Sequence, residues 1–542
     1  MGLFSMMASD TEATNQAAQG VLDGSLWYNL SSGTIDLTNT NNSFSENSMI
    51  SYALRANYTF DERYMLTATV RWDGSSKFEP DQRWGCFPSV AVAWRASQEK
   101  FLQNVKWLSN LKVRLSYGVT GNNTGVGNYA TRTTVAGPVY YPFGSTYVNA
   151  FYPSSIVDRF LTWEESKEIN FGIDFGFLKN RIFGSVDLYQ KTSDDLLYSV
   201  ELPLEAGTDS DGNPMKLNTN VGSVQNRGIE FAVTAIPVIT KDWRWDISLN
   251  YARNINKVKE INGSGANLPN DNLFIGCSIN NVYGYHWAGI VTDRDMIVPN
   301  TEIAVAKGLT PGSTMKEYDY YNICYGLQEG NPIIEDVNGD GTIDDKDKKV
   351  YRSDPSWTGS LTTSLSYKNW DLSASLYTKQ NYKVYSDFYA QYLDYKDRGW
   401  MHLNVDYYIP AGTLIDCDGI NPDGTYINPV YQQTTHYGAY PFPNDGNTAG
   451  LNGTHAFNRD GSQCQAITDA SFVKVKNITL GYTFPKKWIN KIGISHLRLY
   501  CTVTNPFVWT DYKGFDPEWA GGGAENDGPS TVTWEFGASL KF

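Results

Sequence analysis

The sequence predicts an all-β fold, a transmembrane antiparallel up-and-down β-barrel, and three observations support this class. Apolar and polar residues alternate with period two along several segments, which is typical of a strand whose two faces meet different surroundings. Aromatic residues make up 14% of the 542 residues, so amphipathic rings are unusually abundant. Long and short connections alternate along the chain, which in an up-and-down arrangement puts the long loops at one end.

The composition argues against two other kinds of protein. A net charge of −14 and a pI near 4.9 do not suggest a basic surface for phosphate groups, so we expect no nucleic-acid partner. No stretch approaches eighteen consecutive apolar residues, so we expect no transmembrane helix, whereas a membrane-spanning strand needs only about 9–11 residues.

The first ten residues lack the basic flank and apolar run of a secretory signal, and we therefore expect a truncated product.

Alternation is clearest at the C-terminus, where one face of the last strand is apolar and aromatic. Its members are Val532, Trp534, Phe536, Ala538, Leu540 and Phe542. A second example lies near residue 114, where Lys112 and Arg114 alternate with apolar residues and are expected to line a polar lumen. Trp94, Trp243 and Trp534 stand at strand ends, which is typical of the aromatic belt at a membrane interface.

We predict about fourteen strands, the first of them partial. They lie near residues 2–9, 48–60, 63–73, 86–97, 110–118, 166–177, 181–192, 227–236, 243–254, 358–367, 370–379, 471–484, 496–505 and 531–542. Tight turns are expected at 61–62, 179–180 and 368–369. Two connections, near 255–357 and 380–470, are longer than a compact soluble domain usually tolerates.

Several runs carry a family resemblance. Arg71-Trp72-Asp73-Gly74-Ser75-Ser76-Lys77-Phe78, with 83–89 and Trp94-Arg95 after it, resembles the barrel of SusC/RagA-type TonB-dependent transporters. Further runs similar to that family occupy 111–122, 226–230, 472–482, 505–507 and 514–518, and the resemblance covers about 48–542. The last eight residues also resemble the C-terminal signal read by the outer-membrane assembly machinery.

The resemblance implies a location, a function and partners. Such proteins sit in the cell outer membrane as multi-pass barrels of about twenty-two strands, preceded by a plug domain and a TonB-contacting segment. They import glycans or oligopeptides beneath a SusD-like lipoprotein that acts as a lid. By this comparison, 1–47 forms a partial strand and an extracellular loop, and 48–542 forms the C-terminal portion of the barrel, without the plug. The chain alone is then not expected to transport, and the TonB complex would act only through the missing N-terminal part.

A different class of protein fits the same alternation. A non-membrane surface β protein that binds glycans or acts in adhesion would also have period-two strands and tyrosine-rich loops. Detergent-dependent extraction would favour the barrel, and a soluble monomer would favour the surface protein.

One segment has the spacing of a calcium loop of the EF-hand type. Over the twelve residues 336–347, oxygen donors fall at positions one, three, five, seven, nine and twelve, and Gly341 occupies the sharp turn at position six. The predicted ligands are Asp336, Asn338, Asp340, Thr342 (through its carbonyl), Asp344 and Asp347. Structural calcium in an extracellular loop is the functional interpretation, and an Asp/Asn/Gly-rich turn that satisfies its own backbone is the alternative.

The remaining residues give weaker predictions. We find no HExxH, phosphate-binding loop or nucleophile elbow, so an enzyme is not expected. Aromatic residues in the long loops could stack on substrate or pack within the loops, and the substrate-binding candidates are Tyr389, Tyr392, Tyr395, Trp400 and Tyr407. The six cysteines lack metal spacing and are expected to be free thiols or an occasional loop disulfide.

Overall fold

The computed structural model of the protein describes most of the chain. The described residues are 1–21, 29–37, 39–144, 146–153, 155–208, 212–386, 388, 405–441, 466–521 and 530–542. Within them, strands dominate and helices are few and short.

Fourteen long strands in the described residues form one sheet, in which strands that follow each other in the chain are neighbours. Numbered β1 to β14, they are Gly2–Asn15, Asn41–Phe60, Tyr64–Ser75, Trp84–Trp94, Leu108–Asn122, Glu164–Phe177, Ile182–Glu201, Lys216–Ile239, Trp243–Glu260, Trp357–Tyr367, Trp370–Gln380, Phe472–Thr483, His496–Thr510 and Thr533–Lys541. The pairing is antiparallel, as in β5 with β6 and β6 with β7. The predicted strand content, order and all-β class are confirmed.

Several strands are longer than the sequence predicted. β7 continues to Glu201 and β8 begins at Lys216, whereas alternation predicted strands only over 181–192 and 227–236. The extra residues include runs such as Asp194-Asp195 and Asn218-Thr219-Asn220, which have no apolar member to mark a face. Hydrogen-bonded pairing therefore extends beyond the segment that hydrophobic periodicity can detect.

The two faces of the sheet differ as predicted. On β3, Tyr64, Leu66 and Trp72 are exposed, whereas Asp73 and Ser75 on the opposite face are buried. On β14, the last strand of the sheet, both faces are exposed, and Phe536 of the predicted apolar set retains 80% of its surface. Broad exposure of large apolar side chains on a strand face is rare in soluble monomers and suits contact with lipid.

Tight turns join the strands at one end. Asp61 and Glu62 have φ of 52° and 50°, and Lys368 has φ of 52°. Left-handed φ values at successive positions match the right-handed twist of a hairpin, so these non-glycine residues accept a local strain. The turns predicted at 61–62, 179–180 and 368–369 all lie between paired strands.

The predicted alternation of long and short connections has one exception. The connection 76–83 follows β3 and is shorter than 95–107, which follows β4. The latter contains the 3₁₀ helix Ala96–Gln98, so it is folded against the strand ends rather than extended. Elsewhere the connections after odd-numbered strands are the longer ones, up to 261–356 and 381–471.

The chain divides into two compact units. The first unit comprises Met1–Phe231 and Ile255–Asn267, and the second comprises Ala232–Asn254 and Leu268–Phe542. In the first unit, Phe78, Phe87, Val126, Leu161 and Trp163 form a buried cluster.

Small sheets and short helices fill the long loops. Paired short strands are Ala18–Gln19 with Thr34–Ile35, Val135–Phe143 with Thr146–Pro153, Asn281–Tyr285 with Lys348–Arg352, Trp287–Ile290 with Pro332–Ile334, Asp295–Ile297 with Thr314–Lys316, Lys383–Tyr385 with Ile467–Asp469, Leu414–Asp416 with Val430–Tyr431, and Gly419–Ile420 with Tyr426–Ile427. In the described residues, the α-helices are Glu302–Ala306, Glu317–Tyr325 and Lys486–Ile489. The other 3₁₀ helices of this described part are Leu30–Ser32, Leu204–Ala206, Pro269–Asp271, Asp345–Asp347 and Asn490–Ile492.

No helix in the described part of the chain combines the length and apolarity needed to cross a membrane.

The free thiols of the described residues are Cys86, Cys277, Cys324, Cys417 and Cys501. Cys464 lies outside the described residues.

Candidate functional site in the long loops

The segment predicted to bind calcium folds as a series of tight turns. Asp336 accepts hydrogen bonds from the amides of Gly339 at 2.7 Å and Gly341 at 2.8 Å. The Asn338 side chain accepts from the amide of Asp340, and the Asp340 side chain accepts from the amide of Thr342. Gly341 has φ of +81°, and a side chain there would also collide with Ile303. The sharp turn expected at position six is therefore present.

Asp347, at position twelve, closes this segment. Its carboxylate is fully buried and accepts from the amides of Val337 and Asp344, each at 2.8 Å. Asp344 caps the 3₁₀ helix Asp345–Asp347, and its pKa is lowered chiefly by the hydrogen bond from the Lys346 amide. Among the described residues, no three His, Cys, Asp or Glu side chains are grouped as metal ligands. The carboxylates face backbone amides, so metal binding stays a prediction.

Of the aromatic residues predicted to contact substrate, only Tyr407 lies in the described part. Its side chain is buried in a cluster with Phe388, Ala466 and Tyr512. Burial raises its pKa above the ordinary value. Tyr389, Tyr392, Tyr395 and Trp400 lie outside the described residues. Tyr407 thus has a packing role, and substrate binding by this set stays a prediction.

A polar cluster joins the two longest loops of the second unit. Asp293, in the loop after β9, accepts hydrogen bonds from the hydroxyls of Thr435 and Tyr437, which lie in the loop after β11. Tyr408 in the latter loop donates to Glu329 in the former at 2.7 Å. The Tyr437 hydrogen bond is the main reason why the pKa of Asp293 lies below its ordinary value. We call Asp293, Glu329, Tyr408, Thr435 and Tyr437 the loop junction.

A second set of charges fixes the loop that follows β13. Lys474 on β12 lies 2.6 Å from Asp516 and 3.1 Å from Glu518, and Lys476 also bonds Glu518. The side chains of Lys474 and Asp516 are only 3% and 2% exposed. Burial acts to raise the pKa of Asp516, but hydrogen bonds from Lys474 and Ser530 outweigh it and the pKa is lowered. We call Lys474, Lys476, Asp516 and Glu518 the loop anchor.

Sequence reasoning identified the segments of the loop anchor but not the pairing between them. Both 472–482 and 514–518 carried the family resemblance, yet a lysine on the polar side of a strand gives no signal of burial. The strand alternation did indicate which residues share the polar face. Arg114 pairs across that face with Asp174 at 2.9 Å and with Asp187 at 3.1 Å, and these ion pairs were not predicted.

Comparisons with known proteins agree with this architecture. Residues 7–506 match the family described as TonB dependent receptor-like, beta-barrel. The TonB-dependent receptor SusC of Bacteroides thetaiotaomicron is 34% identical over 92% of this chain and 44% of its own length. The TonB-dependent receptor P39 of Formosa agariphila is 30% identical over 91% of this chain and 44% of its own length.

A solved structure supports the same fold. The RagAB peptide transporter structure superposes with a TM-score of 0.71 at 22% identity, covering all of this chain and 53% of the matched chain. The chain therefore spans about half the length of the proteins that it matches.

Proposed function

The chain belongs to the family of TonB dependent receptor-like β-barrels, located in the outer membrane, and from this premise we propose that it serves nutrient import. The substrate class is glycans or oligopeptides. The observation that carries the proposal is the match to SusC over 92% of this chain. The sheet adds support, because its exposed apolar face suits lipid and its longest connections follow odd-numbered strands and so share one end.

The same premise identifies the partners that the function requires. A SusD-like lipoprotein would cover the end that carries the long loops and enclose the captured substrate. The TonB complex would act through parts of the transporter beyond the half that this chain matches. The loop junction supports such a role, because linking the two longest loops gives a lid a more ordered surface to meet.

Deletion of the gene in its source bacterium tests the proposal. We expect loss of growth on one class of glycan or oligopeptide as sole nutrient, restored by a plasmid copy, together with loss of uptake of the labelled nutrient. Unchanged growth and uptake across both classes would refute import. Loss of cell attachment to an immobilised glycan without any change in uptake would instead favour adhesion.

We also propose that the segment 336–347 binds structural calcium. Support comes from the spacing of its oxygen donors and from the turns at Gly339 and Gly341, which bring the Asp336, Asn338 and Asp340 side chains to one short stretch. Calcium should protect this segment from proteolysis in the wild-type protein but not in Asp340→Ala. Asp345→Ala is the matched control, since Asp345 is exposed and holds no ligand position. Equal cleavage with calcium and with chelator would contradict the proposal.

A further inference from the structure

The first unit contains a polar cavity of about 370 Å³ at the ends of its strands. It lies where β1 and β2 meet two loop segments, the connection 76–83 and the start of the loop after β5. Ser9, Asn47, Glu79, Arg83, Asn128 and Arg132 contribute to its lining. Its volume is within the range of small-ligand sites.

The walls of this cavity are fixed by contacts behind them. Phe78 is buried and its ring centroid lies 5.3 Å from that of Trp163. Asn128 donates to the hydroxyl of Ser45, and the Tyr129 hydroxyl accepts from the amide of Glu46 at 3.1 Å. Both loop segments are thereby held against the strands, so the cavity is already formed without a ligand.

Two arginines of this cavity, the half-buried Arg83 and the exposed Arg132, lack carboxylate partners in the described part of the chain. Neither Arg83 nor Arg132 forms an ion pair within the described residues, and the buried Nε of Arg83 has no hydrogen-bond acceptor there. The main chain of Arg83 is nonetheless held, because its carbonyl accepts from the amide of Ser75 and the indole of Trp163. Buried N–H groups are rarely left without an acceptor, so this donor is available to a ligand that enters the cavity.

Acidic residues at the cavity do not cancel these charges. Asp10 and Glu46 are opposite each other in the β1–β2 pairing, one position away from the pair Ser9 and Asn47. Because successive side chains point to opposite faces, the face that carries Ser9 and Asn47 does not carry the two acids. The lining includes Asp10 and Glu46 as well as Glu79, but Asp10 and Glu46 lie on the opposite strand face from Ser9 and Asn47, so Glu79 is the carboxylate set against Arg83 and Arg132.

We propose that this cavity binds a carboxylate group of the imported substrate, with Arg83 and Arg132 as its cationic ligands. Planar guanidinium groups match carboxylate geometry, and the amides of Asn47 and Asn128 can orient the rest of the ligand. The carboxylate is that of an oligopeptide C-terminus or of a uronic acid in a glycan. This inference rests on the proposed import function and specifies its substrate.

Binding of four probes to the protein purified in detergent from outer membranes tests the inference. Trialanine and trigalacturonic acid carry a carboxylate, whereas their counterparts trialanine amide and maltotriose lack one. Titration calorimetry should detect one of the two carboxylate probes, bound at least tenfold more tightly than its counterpart without a carboxylate. Arg83→Gln and Arg132→Gln should each weaken that binding about tenfold or more.

Arg95→Gln is the matched control, since Arg95 follows β4 at the end opposite Arg83 and does not line the cavity. It should bind like the wild type, and all three variants should keep the wild-type heat-modifiable gel migration that reports a folded barrel. Equal binding of the probes with and without a carboxylate, no binding of either carboxylate probe, or wild-type affinity in Arg83→Gln or in Arg132→Gln would overturn the inference. If both arginine variants import normally while gene deletion abolishes uptake, the import function is supported and the proposed carboxylate site is refuted.

Discussion

The loop anchor and the cavity at Arg83 place cationic side chains in opposite situations: Lys474 is buried, whereas Arg83 is half-buried with its Nε shielded from solvent. Lys474 has two carboxylates within 3.1 Å, whereas the Nε of Arg83 has no acceptor in the described residues. A buried charge with a complete set of partners stabilises the structure, and removing one partner leaves the other charge buried without a counter-charge. A buried donor without a partner leaves binding capacity for a ligand. By this comparison, the number of partners distinguishes the structural charge of Lys474 from the binding charge proposed for Arg83.

The largest effect should come from Lys474→Met, which leaves Asp516 buried without its main cation. We expect a loss of about 3–5 kcal/mol in the free energy of unfolding, measured by denaturant titration in detergent. Lys474→Met combined with Asp516→Leu should recover most of it, because no charge is then left unpaired. Wild-type stability in Lys474→Met would show that the buried ion pair with Asp516 does not stabilise the fold.

Next in size is Asp293→Ala at the loop junction. It removes the acceptor of the Thr435 and Tyr437 hydroxyls, and we expect a loss of about 1–3 kcal/mol in local stability. Hydrogen exchange in 405–441 measures this. Thr435→Val, which deletes one hydrogen bond only, is the control and should have a smaller effect. If exchange is unchanged in Asp293→Ala, the two loops are not coupled through this cluster.

The loop anchor should also depend on pH in a defined direction. The pKa of Asp516 lies below its ordinary value of 3.8 because its hydrogen bonds outweigh the effect of burial. A lowered folded-state pKa gives stability that is complete above the ordinary value and lost as pH falls through the lowered one, at up to about 1.4 kcal/mol per pH unit and proton. Protease protection of 511–521 should therefore persist to about pH 4 and fail below it. Loss of protection between pH 7 and 5 would show that another group controls the loop.

The smallest effect should come from Lys167→Met on β6. Its ammonium lies 3.3 Å from Asp194 and 3.5 Å from Glu165, but the three side chains are more than a third exposed. Exposed pairs contribute about 0–1 kcal/mol, and screening by salt reduces this further. Denaturant titration at low and high salt checks it. A loss above about 2 kcal/mol would mean that partner count, not burial, decides the strength of a charge pair.

Strand order and the identity of the apolar face could be predicted from the sequence because both depend on period-two patterns close in the chain. The ends of β7 and β8 could not, since polar runs such as Asp194-Asp195 and Asn218-Thr219-Asn220 interrupt the alternation within each strand. The turn geometry of 336–347 followed from its Asp, Asn and Gly spacing. Two features could not be predicted: the ion pair of Lys474 with Asp516, and the lack of an acceptor for the Nε of Arg83 in the described residues. Both depend on loop segments that fold over the sheet, and residue spacing within a short segment does not indicate such contacts.

The chain-order pairing of the fourteen strands has a kinetic consequence. Each strand meets the one synthesised just before it, so hairpins can form one after another without waiting for remote segments. Even β11 and β12, separated by 381–471, face only a modest entropic penalty, since loop closure costs about 0.6 kcal/mol more for each doubling of length. The long loops can therefore vary in sequence and size while the fourteen-stranded sheet assembles in the same order.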